Sequence, residues 1–221
     1  MDKNHLRILK KVKLFEGLSE TGIEEALSCL GKKTAKYKKG DTIIIEGEPV
    51  KDIGIVLSGS VQILKDDFDG ARAIISQLYP SEIFAEALAC AQVQKSPVTA
   101  QAAADCEIVF IPFMKVSNVC SNACGFHSKI IMNMLKILAS KNMLLNNKIE
   151  HTSKRTTREK LLSYFAELSA KESSKKFTLP FSKTQLADYL FVDRSAMMRE
   201  LAKMKKEKAI DFSGSRFELK K

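Results

Sequence analysis

The chain has 221 residues, 45% hydrophobic and 28% charged, which is enough for one or two compact domains and rules out a disordered or purely coiled chain. Its 36 lysines and arginines against 26 aspartates and glutamates give a net charge of +10, and residues 152–221 hold 17 basic and 9 acidic side chains, so +8 of the +10 lies in the last 70 residues. That concentration suits a polyanionic partner, although a solvated lysine-rich surface gives the same sum.

No stretch approaches the ~18 uninterrupted apolar residues of a membrane helix, and Met1 to Phe15 lacks an apolar signal core, so no membrane partner and a cytoplasmic location are expected. Five cysteines, Cys29, Cys90, Cys106, Cys120 and Cys124, form no metal-type pairing and read as free thiols. After a short amphipathic lead, Ser19 is placed to cap a helix running to about Leu30. Residues 34–113 are then cut by turn signals about every 8–12 positions, at Lys39-Gly40-Asp41, Glu46-Gly47-Glu48-Pro49, Ser58-Gly59, residues 66–70 and Tyr79-Pro80. Between them lie β-branched runs: Thr42 to Ile45, Ile53 to Leu57, Val61 to Leu64, Ala73 to Leu78 and Ile108 to Ile111. This spacing predicts an antiparallel sandwich or roll.

From Ala123 to Glu150 there is no proline, and Gly125 is the only glycine, which predicts a helix of roughly 28 residues, about 42 Å long. Ile131, Leu135, Leu138, Asn142, Leu145 and Ile149 step by four and three in alternation, a heptad seam with Asn142 at an a position. Ile130, Met134, Ile137 and Leu144 form a neighbouring stripe that widens the apolar face, with Lys141 and Lys148 on it. Such a helix needs a partner, and a lone a-position asparagine favours a parallel two-stranded coil, hence a homodimer; packing on its own domain is the alternative.

The last third changes to short helices. Ser182 and Gln185 fit a capping box, after which Leu186, Ala187 and Leu190 give one buried face. Asp193 can cap a second helix, Arg194 to about Lys208, burying Met197, Leu201 and Met204, and Ile210 to Leu219 with Ser213-Gly214 at its centre can fold back as a β wing.

The segment Tyr37 to Gly47, with Gly40, Asp41, Ile43 and Glu46, followed by Asp52, Leu57, Gly59 and Val61, resembles the cyclic-nucleotide-binding β-roll of the Crp/Fnr transcription regulators, and Val192 to Leu201 resembles their recognition helix. The order of parts matches too, so the resemblance covers nearly the whole chain. It implies an α+β fold: an N-terminal antiparallel β-roll (double-stranded β-helix) over 1–121, a long dimerisation helix over 122–151, and a winged helix-turn-helix over 152–221. It also implies a homodimeric, sequence-specific regulator with double-stranded DNA and RNA polymerase as partners, controlled by a small effector bound between roll and dimer helix.

A recognition helix enters the major groove by its N-terminal half, which directs Arg194, Ser195, Met198 and Arg199 to bases or flanking phosphates. Arg199 suits a bidentate contact to guanine O6 and N7. Ser195 stands where many members carry a glutamate, so the base preference should differ from theirs. Ser182, Lys183 and Gln185 are placed to hold phosphates; the alternative for the arginines is a solvated helix face. Phe191 occupies a turn position comfortable for glycine or asparagine, implying an altered turn or an aromatic tucked against the dimer helix.

In members that bind cyclic AMP, a glutamate holds the ribose, an Arg-Ser pair the cyclic phosphate, and a Thr-Ser pair the base. Here Glu86 is kept but follows Ala85 where glycine is usual, the phosphate pair becomes Lys95-Ser96, and Lys141 and Asn142 fall where the base-contacting pair would be. Lysine neutralises a phosphate without the planar two-bond grip, which argues against cyclic AMP and for a different small effector or an unused pocket. No cysteine precedes Cys29, so no iron–sulfur cluster is expected; His5, His127 and His151 read as isolated surface or capping residues, none in the roll, so no haem is expected either. Two other readings stand open: a redox-responsive regulator using thiols such as Cys120 and Cys124, and a roll-type ligand-binding module without DNA-binding activity. An enzyme is not expected, since neither a Ser/His/Asp constellation nor a catalytic metal site nor a phosphate loop stands out.

Overall fold

A computed structural model describes residues 2–66, 72–118 and 125–220. The chain divides into two compact units, Met1–Ala139 and Ser140–Lys221. In the first, α1 (Lys3–Leu9) and α2 (Glu20–Cys29) precede the sheets, and the Ser19 hydroxyl accepts the Gly22 amide at 3.0 Å, satisfying one of the donors a helix start leaves open. The predicted antiparallel roll is present as two four-stranded sheets. One runs β1 (Lys33–Tyr37), β8 (Cys106–Pro112), β3 (Asp52–Ser58), β6 (Ile83–Phe84); the other runs β2 (Thr42–Ile44), β7 (Thr99–Ala102), β4 (Val61–Asp66), β5 (Arg72–Leu78).

Strands β3 and β8 are covered on both faces. Ile53, Ile55, Leu57, Val109 and Ile111 join a core with Leu9, Phe15, Ile23 and Leu27 of the leading helices, while Val56, Cys106 and Ile108 meet Val61, Ala100 and Ala102 in a second core. Burial on both faces is why these two strands read as unbroken apolar runs rather than as alternation. Gly54 makes room in the second core: a Cβ there would lie 2.2 Å from Cζ of Phe84. The Phe84 ring meets Phe110 edge to face at 6.4 Å, and Phe110 meets Tyr37 likewise at 6.4 Å.

Two short helices, α3 (Glu86–Cys90) and α4 (Phe113–Ser117), flank the last strands, and α5 (Gly125–Thr152) is the long helix expected, 28 residues in one piece. In the second unit, α6 (Thr157–Lys171) opens on a capping box between Thr156 and Glu159. It is followed by β9 (Lys176–Thr178), α7 (Lys183–Tyr189), α8 (Arg194–Lys206), β10 (Ile210–Ser213) and β11 (Arg216–Leu219), whose strands form a sheet of order β10-β11-β9. Phe165, Phe177, Leu186, Met197, Leu201 and Phe217 are buried at its centre. This is the winged helix-turn-helix, with the wing turning where Ser213-Gly214 predicted it.

Gly59 is where the roll tolerates no side chain. Its φ is +71°, and a Cβ would lie 2.1 Å from the Asp105 carbonyl oxygen and 2.8 Å from Cys106 Cα, backbone that cannot step aside. Gly59→Ala is therefore expected to destabilise the chain by about 3 kcal/mol through clash and left-handed strain together. Urea unfolding of variant and parent measures this directly, and an unchanged midpoint would refute it.

Candidate nucleic-acid interface and its ties to the long helix

The start of α7 is closed by its capping box: the Ser182 hydroxyl accepts the Gln185 amide at 3.2 Å, and Gln185 Oε1 accepts the Ser182 amide at 2.9 Å. The Ser182 hydroxyl keeps its own proton to donate outward. The Lys183 ammonium stands 4.9 Å from the centre of the Phe212 ring, which also carries Lys205 at 5.0 Å. Helix α8 begins at Asp193, whose Oδ1 accepts the Ala196 amide at 2.7 Å. Met197, Leu201 and Met204 are fully buried, each contributing roughly 1.5–3 kcal/mol. Their spacing turns Arg194, Ser195 and Arg199 outward, and all three are exposed.

Met198 departs from expectation. It is partly buried and packed against the core of this unit rather than displayed with the arginines. It follows Met197 by one position and precedes Leu201 by three, which leaves it on the flank of the buried stripe. On α6, Arg158 pairs with both Glu200, at 3.0 Å, and Glu207, the residue that caps the end of α8, two places about two turns apart.

The turn between α7 and α8 keeps the left-handed conformation that suits glycine or asparagine rather than an altered one, with Phe191 at φ +50°. The Lys148 ammonium on α5 stands 5.0 Å from the centre of its ring. One turn further along α5 is His151, which is buried, as is His127, contrary to a surface role; His5 pairs with Glu107 at 3.3 Å. His151 Nδ1 is 2.8 Å from Ser163 Oγ and Nε2 is 2.6 Å from Glu167 Oε2. Glu167 also accepts from Asn147 at 3.0 Å and from Lys171 at 2.5 Å. The sequence reading missed this Ser163–His151–Glu167 chain, because the three residues lie on two helices. It has the parts of a nucleophilic triad but not its setting: Ser163 sits in the middle of α6, whose amides are engaged in the helix and offer an oxyanion no donors. The arrangement ties α5 to α6.

The residues assigned to an effector are divided between the two units. Glu86 is buried in the first turn of α3, behind Ala85 at φ +62°, the conformation that makes glycine usual there. Lys95 is exposed, whereas Ser96 is buried with its hydroxyl donating to the Val98 carbonyl at 2.7 Å and accepting the Val98 amide at 3.3 Å. Lys141 and Asn142 belong to the second unit, where Asn142 Oδ1 accepts from Asn146 at 2.9 Å.

On α5 the two apolar stripes separate. Ile130, Met134 and Ile137 are buried in the core of the first unit instead of widening an outer face; Leu144 is exposed. Of the heptad seam, Leu135 (55%), Leu145 (62%) and Ile149 (62%) are exposed, Ile131 is half-buried, and Leu138 packs partly on that core. Cys120 and Cys124 lie outside the described residues. Among the described residues no group of three or more His, Cys, Asp or Glu could hold a metal ion, and no helix is long and apolar enough to cross a membrane.

Comparison with known proteins agrees with this geometry. Residues 34–123 match the family model of the cyclic nucleotide-binding domain, and residues 159–221 match that of the Crp-like helix-turn-helix domain. The chain is 24% identical to the transcriptional activator protein FnrA of Stutzerimonas stutzeri over 86% of this chain and 78% of that protein. It superposes on the catabolite activator protein of Thermus thermophilus with a TM-score of 0.51, 18% identity and coverage of 94% and 93%. For DNR from Pseudomonas aeruginosa the TM-score is 0.50, with 20% identity and coverage of 99% and 95%. At these identities the structural likenesses establish the fold.

The α5–α6 tie has a pH signature. Although burial alone would raise the Glu167 pKa, the bonds from Lys171, His151 and Asn147 hold it at about 2 in the folded chain, against 4.5 for a free side chain. A depressed carboxylate pKa stabilises above the unfolded value and loses that contribution as pH falls toward the folded one, here between about 4.5 and 2, up to about 3 kcal/mol. Urea unfolding of the second unit between pH 6 and pH 2 should show that loss in the parent and a flatter profile in Glu167→Gln; identical profiles would refute it.

Proposed function

The chain belongs to the Crp/Fnr family of transcription regulators, carrying a cyclic nucleotide-binding domain and a Crp-like helix-turn-helix domain, and from that premise we propose that it works as a homodimer reading double-stranded DNA with α8. The observation that carries this is the division of α8 into a buried methionine–leucine face and an exposed face bearing Arg194, Ser195 and Arg199 at its capped start. In this reading Arg199 forks onto a guanine, Arg194 and Ser195 meet bases or adjacent phosphates, and Ser182, Lys183 and Gln185 hold the backbone and fix the register. Met198 shapes the helix flank and takes no base.

Exposed Leu135, Leu145 and Ile149 support a second copy as the occupant of the outer face of α5, with Asn142 pairing to its counterpart and setting parallel register. Two heads so joined would read half-sites about one DNA turn, ~34 Å, apart. A small effector received by the roll, with Glu86 and Lys95 among its polar contacts and Lys141 and Asn142 following from the resemblance, shifts the population of binding-competent dimers by its differential affinity. Lysine at position 95 and a Ser96 hydroxyl already engaged with Val98 weigh against cyclic AMP. Transcription control in the cytoplasm, with RNA polymerase as partner, completes the reading.

Selection from a random duplex pool should yield a preferred operator. Arg199→Ala is expected to weaken it by about 1–3 kcal/mol and relax one base position, with Arg199→Lys failing to restore it. Cyclic AMP should leave the affinity unchanged in the same titration. A chain that enriches no duplex, or an Arg199→Ala variant that keeps full specificity, overturns the reading. Sedimentation should show a dimer that Leu145→Asp with Ile149→Asp converts to monomer and that Asn142→Leu tightens; a monomeric parent under all conditions overturns the seam.

A further inference from the structure

We propose that Lys148 on α5 and Phe191 in the turn between α7 and α8 act together as positioning residues that aim the recognition helix. The proposal rests on the DNA-reading function above and adds the link through which the dimer helix holds the reader.

Phe191 is one of six non-glycine residues with positive φ among the described residues, and of the six it carries the bulkiest side chain. Its φ of +50° is a conformation that a Cβ makes unfavourable and that glycine adopts freely. Burial gives no compensation, because the side chain is 69% exposed. The backbone is closed by the bonds that end a helix, the Phe191 amide on the Asp188 carbonyl at 3.2 Å and the Val192 amide on the Ala187 carbonyl at 3.0 Å, so what needs an account is a large exposed ring where glycine would cost less.

Two helices meet this turn from outside. The half-buried Lys148 ammonium stands 5.0 Å from the centre of the Phe191 ring and 5.2 Å from that of Tyr189, the last residue of α7. Both distances lie within the range in which a cation is attracted to a ring face. On α6, the Lys160 ammonium donates to the carbonyls of Leu190 at 3.2 Å and Phe191 at 3.4 Å, fixing the backbone of the same turn. Beyond its own backbone bonds, the turn is thus held by its side chain from α5 and by two of its carbonyls from α6.

Asp193, which caps α8, follows Phe191 by two positions, and Arg194, the first outward arginine, by three. A displacement of the ring therefore reaches the start of the recognition helix with little chain to absorb it. Lys148 lies beside Ile149 and three positions after Leu145, both in the seam. Since each helical residue is rotated by about 100° from the last, a turn of α5 that changes the seam also swings the ammonium. The pair converts the attitude of α5 into the attitude of α8.

Full-length parent, Phe191→Gly, Lys148→Met and the double variant would be titrated with the selected operator over a series of salt concentrations, with thermal midpoints recorded. Phe191→Gly relieves strain, so its midpoint should hold or rise by up to about 4 degrees while operator affinity falls about 3- to 10-fold. Lys148→Met should weaken binding to a similar extent, and the double variant no further than the worse single one, because both changes break one link. The slope of log affinity against log salt should stay at the parent value; a slope reduced by about one in Lys148→Met would make Lys148 a phosphate contact and overturn the proposal. Multiplying effects, a Phe191→Gly variant that binds as the parent does, or a loss of affinity that merely tracks a lowered midpoint overturns it equally. A parent that selects no duplex refutes the DNA-reading function itself, whereas a parent that binds alongside an equally active Phe191→Gly refutes the clamp alone.

Discussion

The constraint on which the molecule depends is that α5 remains one helix for 28 residues. At 3.6 residues per turn its side chains fall on separate faces, and each face has different work. Ile130, Met134 and Ile137 complete the apolar core of the first unit. Leu135, Leu145 and Ile149 are left in the open. Asn147, Lys148 and His151, within the second unit, meet Glu167, Tyr189, Phe191 and Ser163.

The joint at the end of α5 combines contacts of different character. Glu167 gathers donors from His151 and Asn147 on α5 and from Lys171 one turn along its own helix, and separating the two helices would break the buried His151 and Asn147 bonds. The Lys148–Phe191 contact is softer, a cation resting on a ring, and tolerates small displacements without losing its attraction. A stiff tie beside a compliant one suits a joint that must transmit a tilt without coming apart.

Much of this could be read from residue order alone, and the failures have physical reasons. The central strands β3 and β8 announced themselves through β-branched runs, and the two reading helices through Ser182-Gln185 and Asp193, because capping is local chemistry. Edge strand β1 was invisible: Lys33 and Lys36 guard an open edge and interrupt any apolar alternation. Strand β7 hid for the opposite reason, since Ala100 and Ala102 are buried but too small to stand out as a hydrophobic pattern. The stripe on α5 was recognised as apolar, yet periodicity cannot say whether a face meets its own chain or another, and three of its members turned out to serve the former. His151 seemed isolated because its partners lie 12 and 16 positions away, a separation only the fold can close.

Arg158 governs how α8 is carried by its neighbour. By pairing with Glu200 and with Glu207, the residue that caps the end of α8, it braces that helix against α6 at two places about two turns apart. A brace at the far end leaves the start of α8 as the part that follows its turn, and less internal freedom is surrendered on docking. Discrimination between sequences then draws also on how readily a duplex deforms to meet the head.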